Sequence, residues 1–113
     1  MPAESPALPE LRLGLTPPDI EGPLASAELL ADRNRARILA MLRSGPHCVC
    51  ELAAALDERP NNVSNHLARL REAGLVRATR QAGDTRRVYY ERDEAACAAA
   101  LAQLGALLEP VRP

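Results

Sequence analysis

The chain has 113 residues, no Phe or Trp and only two tyrosines, so a single small domain must build its core from Leu, Val, Ile and Ala. No stretch approaches the roughly 20 apolar residues that span a bilayer, and the N-terminus lacks the pattern of a signal peptide, so we expect a cytoplasmic protein with no membrane contact. Three cysteines, an odd number, argue against a secreted disulfide framework and predict free thiols in a reducing cytosol.

The charge is unevenly distributed along the chain. The formal net charge is −1, but residues 59–92 hold eight arginines against three acids, a local charge of +5. Such an asymmetry indicates that this segment faces a polyanion.

The first half of the chain predicts an arm followed by three helices. Residues 1–23 carry six of the ten prolines and predict an extended arm, with a short helix at residues 8–15 as an option. From Leu24 onward, apolar residues recur at helical intervals, and Asp32 can end one helix and cap the next. A third, short helix is predicted over residues 50–56.

The second half predicts a helix, a hairpin and a helix. Pro60 suits the first position of a helix over residues 60–72. Residues 75–92 then read as two short strands around a turn, and the last helix runs from about 93 to 109. This order predicts a mainly α fold with a small β-hairpin, the winged helix-turn-helix.

Four stretches resemble one known family: "LADRNRARILAML", "CVCELAAAL", "NNVSNHLARLREAGLV" and "GDTRRVYY". Together they are similar to the small bacterial ArsR/SmtB-type metalloregulatory repressors, over residues 24–109. The resemblance implies a DNA-binding and metal-sensing domain at residues 24–113. It also implies a homodimer, formed through the first and last helices, that binds inverted-repeat operator DNA without metal and releases it when the ion binds.

The helix over residues 60–72 supplies the candidate DNA-reading residues. If Val63, Leu67 and Leu70 face inward, a polar set faces outward, where it can reach base edges and phosphates. This set is Asn61, Asn62, Ser64, Asn65 and Arg69. Arg86 and Arg87 of the hairpin are predicted to contact the DNA backbone or minor groove. The plain alternative is a solvated polar face.

The residues next to this set are predicted to have structural roles rather than to read DNA. His66, beside Leu67, is predicted to be a packed, hydrogen-bonded histidine rather than a metal ligand. Arg59 stands where the family usually places a capping hydroxyl, so Asp57 is the candidate substitute cap.

Cys48 and Cys50 lie where the third helix begins. Their thiolates suit thiophilic ions such as As(III), Cd(II), Pb(II), Zn(II) and Cu(I), and a helix start lowers a thiol pKa. Residues two apart on a helix do not face one another, so binding one ion together requires the first turn to open. Opening it would move the reading helix. The alternative is that both cysteines are small packing residues.

The resemblance narrows the choice of ion. Arsenic-sensing members carry a third cysteine where this chain has Ala53, the arm has no cysteine for a four-thiolate site, and the last helix has no histidine for a zinc site. A trigonal ion, As(III) or Sb(III), therefore fits best as inducer, with Cys97 or His47 as candidate third ligand. Cadmium, lead and zinc stay open as alternatives.

Two other functions are weighed against this one. A thiol redox switch would use the same cysteines, although the spacing argues against a direct Cys48–Cys50 disulfide. A link through Cys97 stays open as an alternative. The other alternative is a winged-helix module that binds a protein or RNA and does not regulate transcription. The sequence predicts no enzyme, because it has no glycine-rich phosphate loop, nucleophile–base arrangement or clustered carboxylates.

Overall fold

The computed structural model describes residues 13–111. Within this range the chain forms five α-helices, one 3₁₀ turn and a three-stranded antiparallel sheet. The elements are α1 (Glu21–Leu30), α2 (Arg33–Met41), the 3₁₀ turn (Leu42–Ser44), β1 (His47–Cys48), α3 (Val49–Leu56), α4 (Pro60–Glu72), β2 (Val76–Gln81), β3 (Asp84–Arg92) and α5 (Glu94–Leu108). The predicted winged helix-turn-helix is confirmed.

The N-terminal helix begins earlier than the sequence pattern indicates. α1 starts at Glu21 rather than near Leu24. Pro23 lies in its first turn, where a missing backbone N–H costs nothing because no intrahelical acceptor is available there. Residues 13–20 precede it as a turn and an exposed irregular segment. Most of the predicted arm, and the greater part of the optional helix at residues 8–15, lie outside the described residues.

Asp32 separates α1 from α2 and caps the second helix, as predicted. Its backbone is extended, and its Oδ1 accepts hydrogen bonds from the N–H groups of Asn34 (2.9 Å) and Arg35 (3.0 Å). These bonds satisfy two of the four free donors at the start of α2. The helix then buries Ile38 completely.

The core forms where α2, α3, α4 and the base of the sheet meet. Its fully buried side chains are Ile38, Leu52, Val63, Leu67 and Leu70. The last three lie at helical spacing on α4, and Leu52 comes from α3. α3 and α4 therefore share one close-packed interior, so a displacement of one helix is transmitted to the other.

The sheet has one strand that the sequence pattern did not predict. β2 and β3 form the expected hairpin, with Gly83 in the left-handed region (φ 85°) at its turn. β1 adds to the other edge of β3, where His47 pairs with Tyr90 and Cys48 with Tyr89. A strand of two residues is too short to show an alternating pattern, and only the neighbouring strand reveals it.

α5 follows the sheet and packs against α1. Asp93 caps α5, because its carboxylate accepts a hydrogen bond from the N–H of Ala96 at 3.0 Å. None of the helices between residues 13 and 111 is long and apolar enough to cross a bilayer.

Candidate thiol site and nucleic-acid interface

α4 presents a polar face to solvent. Val63, Leu67 and Leu70 turn inward, and the five candidate reading residues are all exposed, as predicted. They are Asn61, Asn62, Ser64, Asn65 and Arg69. Because Pro60 opens the helix, the first of them lie in its first turn, where the positive end of the helix dipole favours an anion such as a phosphate.

A carboxylate missed by the sequence reasoning organises the start of α4. Oε1 of Glu58 accepts from the backbone N–H of Arg59 (3.1 Å) and from Nδ2 of Asn62 (2.8 Å), while Oε2 accepts from Nδ2 of Asn34 (3.0 Å). The bond from Asn62 is the main reason that the pKa of Glu58 lies below its ordinary value. The prediction of Asp57 as substitute cap is wrong, because Asp57 ends α3 in the left-handed conformation (φ 52°).

His66 lies on α4 with its ring half-buried. Its Nδ1 is 3.5 Å from a guanidinium nitrogen of Arg35, and its Nε2 is 3.8 Å from Oδ1 of Asp32. The predicted packed, hydrogen-bonded role agrees with this geometry. The backbone N–H of Arg35 is the main reason that the pKa of Asp32 lies below its ordinary value.

The tip of the hairpin is organised by one carboxylate. Oδ1 of Asp84 accepts from the backbone N–H groups of Arg86 (3.1 Å) and Arg87 (3.2 Å), and its Oδ2 accepts from the Tyr89 hydroxyl (3.0 Å). The Arg87 guanidinium also lies 3.3 Å from Oδ2. The Tyr89 hydrogen bond holds the pKa of Asp84 below its ordinary value. Both arginine side chains are exposed and form a cationic tip suited to phosphate.

Cys48 and Cys50 meet at the junction of β1 and α3. Cys48 is the extended residue that precedes α3, with φ −88° and ψ 166°, and its side chain is 3% exposed. Cys50 lies in the first turn of α3 and is exposed. Their Cα atoms are 5.4 Å apart, and their sulfur atoms are joined in a disulfide.

This geometry corrects the expectations for Cys48 and Cys50. Free thiols and the absence of a direct Cys48–Cys50 disulfide were expected, and both expectations are wrong for this pair. The premise that both cysteines lie on the helix does not hold either, whereas the opening or distortion of the first turn of α3 on ion binding stays a prediction. Because Cys48 is extended rather than helical, its side chain reaches that of Cys50 while the helix stays regular. The backbone N–H of Cys48 donates to Oε1 of Glu51 at 3.0 Å and keeps this start in place.

The candidate third ligands are not brought to the sulfur pair within one chain. Nε2 of His47 is 3.0 Å from the Ser44 hydroxyl, and its Nδ1 is 3.4 Å from Oε1 of Glu51, so both ring nitrogens have partners. The Cys97 thiol, on α5, donates to the carbonyl of Leu75 at 3.7 Å. Between residues 13 and 111, no three His, Cys, Asp or Glu side chains cluster in a way that would hold a metal ion.

The cysteines lie in two different cavities. Cys48 and Cys50 line one of about 260 Å³ together with Arg87 and Val88 of β3. Cys97 lines an apolar cavity of about 390 Å³ against leucines of α1, α2 and α5, and burial raises the pKa of its thiol. The sulfur pair is therefore adjacent to the hairpin of β2 and β3, which we call the wing, whereas Cys97 is adjacent to α1 and α2.

Comparison with known proteins agrees with this architecture. Residues 32–78 match the model of the family described as "Bacterial regulatory protein, arsR family". The chain is 46% identical over 63 residues to the arsenic resistance transcriptional regulator ArsR1 of Pseudomonas putida, covering 55% of this chain and 44% of that protein. It is 44% identical over 55 residues to the arsenical resistance operon repressor of Escherichia coli, covering 48% and 47%. The chain thus spans about half the length of these two relatives.

A solved structure extends the likeness to three dimensions. The crystal structure of a "possible transcriptional regulator for arsenical resistance" superposes with a TM-score of 0.61 at 36% identity, covering 75% of this chain and 81% of that one.

Proposed function

Because the chain belongs to the arsR family of bacterial transcriptional regulators and not to a family of enzymes, we propose that it is a cytoplasmic repressor. It binds operator DNA as a homodimer and dissociates from the DNA when As(III) or Sb(III) binds Cys48 and Cys50. The observation that carries this proposal is the meeting of the two sulfurs at the start of α3, the helix that packs against the reading helix. The DNA-binding and sensing domain then begins with α1 at Glu21, three residues before the boundary that the sequence predicts.

The DNA-binding part of the proposal rests on two exposed surfaces. The first is the polar face of α4, on which Asn61, Asn62, Ser64 and Asn65 can read base edges and Arg69 a base or phosphate. The second is the wing tip, whose Arg86 and Arg87 contact the DNA backbone. The first surface supplies sequence preference, and the second supplies affinity for any sequence.

The homodimer is supported by the apolar face of α5. Leu101 is 71% exposed and Leu108 is 77% exposed in the single chain. Both lie on α5, a helix rich in leucine. A second α1–α5 pair would cover them. Two-fold symmetry would then place two copies of α4 on the half-sites of an inverted repeat.

The chemistry of the pair favours a soft ion of low coordination number. After reduction by a thiol reductant, the two cysteines offer two thiolates, and As(III) and Sb(III) need only three such ligands. Cys97 of the partner subunit is the preferred candidate for the third position, because a soft ion such as As(III) prefers sulfur to the imidazole nitrogen of His47. Cadmium, lead and zinc stay as alternatives that accept an additional nitrogen or oxygen ligand.

The release of DNA follows from what the pair contacts. Leu52 of α3 shares the core with Val63 and Leu67 of α4, so a shift at the start of α3 changes the position of the reading face. Cys48 also pairs with Tyr89, which holds Asp84 at the wing tip. An occupied sulfur pair would therefore affect both DNA-binding surfaces at once.

A redox switch is the second candidate, and the Cys48–Cys50 disulfide favours it. A peroxide would take two electrons from the two thiols, giving the disulfide and two molecules of water. Cys50 is exposed and accessible to such an oxidant.

Operator release under defined redox conditions tests the proposal and separates the two candidates. The reduced protein, bound to a fluorescent operator duplex, would be titrated with arsenite, antimonite, cadmium, lead, zinc and hydrogen peroxide in turn. Release by arsenite or antimonite at the lowest concentration supports the ion sensor. Release by peroxide alone would replace it with the redox switch.

A further inference from the structure

Glu58 is the feature of the interface that the proposed function leaves without a role. It lies just before α4 and receives three hydrogen bonds, from the side chains of Asn34 and Asn62 and from the backbone of Arg59. A carboxylate next to a surface that binds DNA repels phosphate, so its presence there needs a reason.

The hydrogen bond to Asn62 fixes the orientation of an amide. An ionised carboxylate only accepts, so the amide group of Asn62 must turn its NH₂ toward Glu58 and its carbonyl oxygen away. One N–H of the amide is used in this bond. When Glu58 takes the N–H that points away from Oδ1, the other N–H and Oδ1 form the donor–acceptor edge that pairs with N7 and the 6-amino group of adenine.

Glu58 is itself held in place from α2. Its second oxygen accepts from Nδ2 of Asn34 at 3.0 Å, and Asn34 is fixed in the first turn of α2 by its own backbone bond to Asp32. The carboxylate is ionised at neutral pH, because its hydrogen bonds keep its pKa below the ordinary value. The orientation of Asn62 is therefore set before DNA arrives.

We propose that Glu58 is a positioning residue that locks the Asn62 amide in the orientation that selects adenine in the operator. The proposal rests on the proposed function, since it requires Asn62 to read a base. The repulsion between the Glu58 carboxylate and DNA is offset because the Asn62 amide is already oriented. It therefore loses less conformational freedom when it binds a base.

The test compares sequence preference with general affinity. Binding of the reduced homodimer to a randomised duplex library would locate the operator position whose adenine preference is lost in Asn62→Ala. At that position, Glu58→Gln should lower the preference for adenine over guanine about tenfold, because an amide at residue 58 can donate as well as accept. Affinity for non-specific duplex should stay unchanged or rise, since one negative charge is removed.

Three controls make the outcome decisive. Glu72→Gln removes one charge from the other end of α4 and should leave the preference unchanged. Asn34→Ala keeps the Glu58 charge but frees the carboxylate, so it should lower the preference with no change in non-specific affinity. In the Asn62→Ala background, Glu58→Gln should have no further effect on preference.

Two results would overturn the proposal, and they are distinguishable. If Glu58→Gln changes specific and non-specific affinity by the same factor while Asn62→Ala removes the adenine preference, Glu58 acts only through its charge. If Asn62→Ala leaves every base preference unchanged, Asn62 does not read DNA, and the assigned reading face is wrong as well. A thermal unfolding curve for each variant verifies that the fold is retained.

Discussion

Cys48 and Tyr89 are partners in the sheet: the first is the last residue of β1, and the second lies opposite it on β3. The Tyr89 hydroxyl donates to Asp84, which also holds the backbone of Arg86 and Arg87. The sulfur pair and the cationic wing tip are thus linked through one residue, Tyr89.

The first prediction concerns this link. Tyr89→Phe removes the hydroxyl that anchors Asp84 and should uncouple the wing from the sulfur pair. We expect operator affinity without inducer to fall only slightly, while the fraction of DNA released at saturating arsenite decreases. Anisotropy titration measures both quantities.

Tyr90→Phe provides the matched control, because Tyr90 pairs with His47 rather than Cys48. Complete release by arsenite in Tyr89→Phe would mean that the signal travels through α3 and α4 alone.

The second prediction concerns the reading face. Asn65→Ala should cost about 1–3 kcal/mol of specific binding, the value expected for a lost base contact, with little change in non-specific binding. Binding isotherms with operator and scrambled duplexes give the comparison. An equal loss of affinity for both duplexes would show that Asn65 contacts a phosphate rather than a base.

The third prediction concerns the wing tip. Replacing Arg86 and Arg87 together by Ala should weaken binding to every sequence and reduce the slope of log K against log salt by about 4, since each of the two subunits loses two phosphate contacts. Affinities measured at several salt concentrations give this slope. An unchanged slope would show that the tip does not contact the DNA backbone.

The reading and wing residues also show what the sequence can predict. The outward polar set was predictable because Val63, Leu67 and Leu70 fix the phase of α4, and a helix with one buried stripe has only one possible exposed face. The cap of Asp32 was predictable for a similar reason, since its partners are the next residues along the chain.

The parts that the sequence did not predict depend on distant partners. β1 exists only because β3 passes beside it, and the extended backbone that this pairing gives Cys48 is what lets its sulfur meet that of Cys50. The role of Glu58 depends on Asn34, which is 24 residues away. Neither relationship leaves a local pattern.

The fourth prediction concerns acid stability. The pKa of Asp32 is lowered in the folded protein. Its carboxylate therefore stabilises the fold at pH values above the ordinary pKa of 3.8. This contribution is lost as the pH falls through the lowered pKa. Asp32→Asn keeps a capping oxygen but cannot titrate. Between pH 5 and 2 the variant should therefore lose less of its free energy of unfolding than the unmodified protein.

Urea unfolding at a series of pH values measures this difference. Glu51, Glu58 and Asp84 also have lowered pKa values, so both proteins should still lose stability in acid. Parallel curves for the two proteins would show that the capping carboxylate does not contribute to the acid dependence.

The fifth prediction concerns assembly. Leu101→Asp places a charge on the exposed apolar face of α5 and should shift the protein from dimer to monomer, with loss of operator affinity. Sedimentation velocity at micromolar concentration measures the state directly. A monomeric unmodified protein would contradict the proposed two-fold arrangement.

The central claim is that Cys48 and Cys50 together sense the inducer. Serine is a suitable replacement, because Cys48 occupies the position before α3 where Ser is a favoured cap, so the fold and the DNA-binding surfaces should be kept. Cys97→Ser removes the candidate third ligand, which lies in another cavity, and separates its contribution from that of the pair.

The most direct measurement is the arsenite concentration that releases half of a bound operator duplex, under reducing conditions, for the unmodified protein, the Cys48→Ser/Cys50→Ser variant and Cys97→Ser. Without arsenite, we predict that the unmodified protein and the double variant bind the operator with equal affinity. Arsenite should release no DNA from the double variant at any concentration that releases it from the unmodified protein. Cys97→Ser should still release DNA, but at a higher arsenite concentration. Full release from the double variant at the unmodified protein's half-release concentration would contradict the claim.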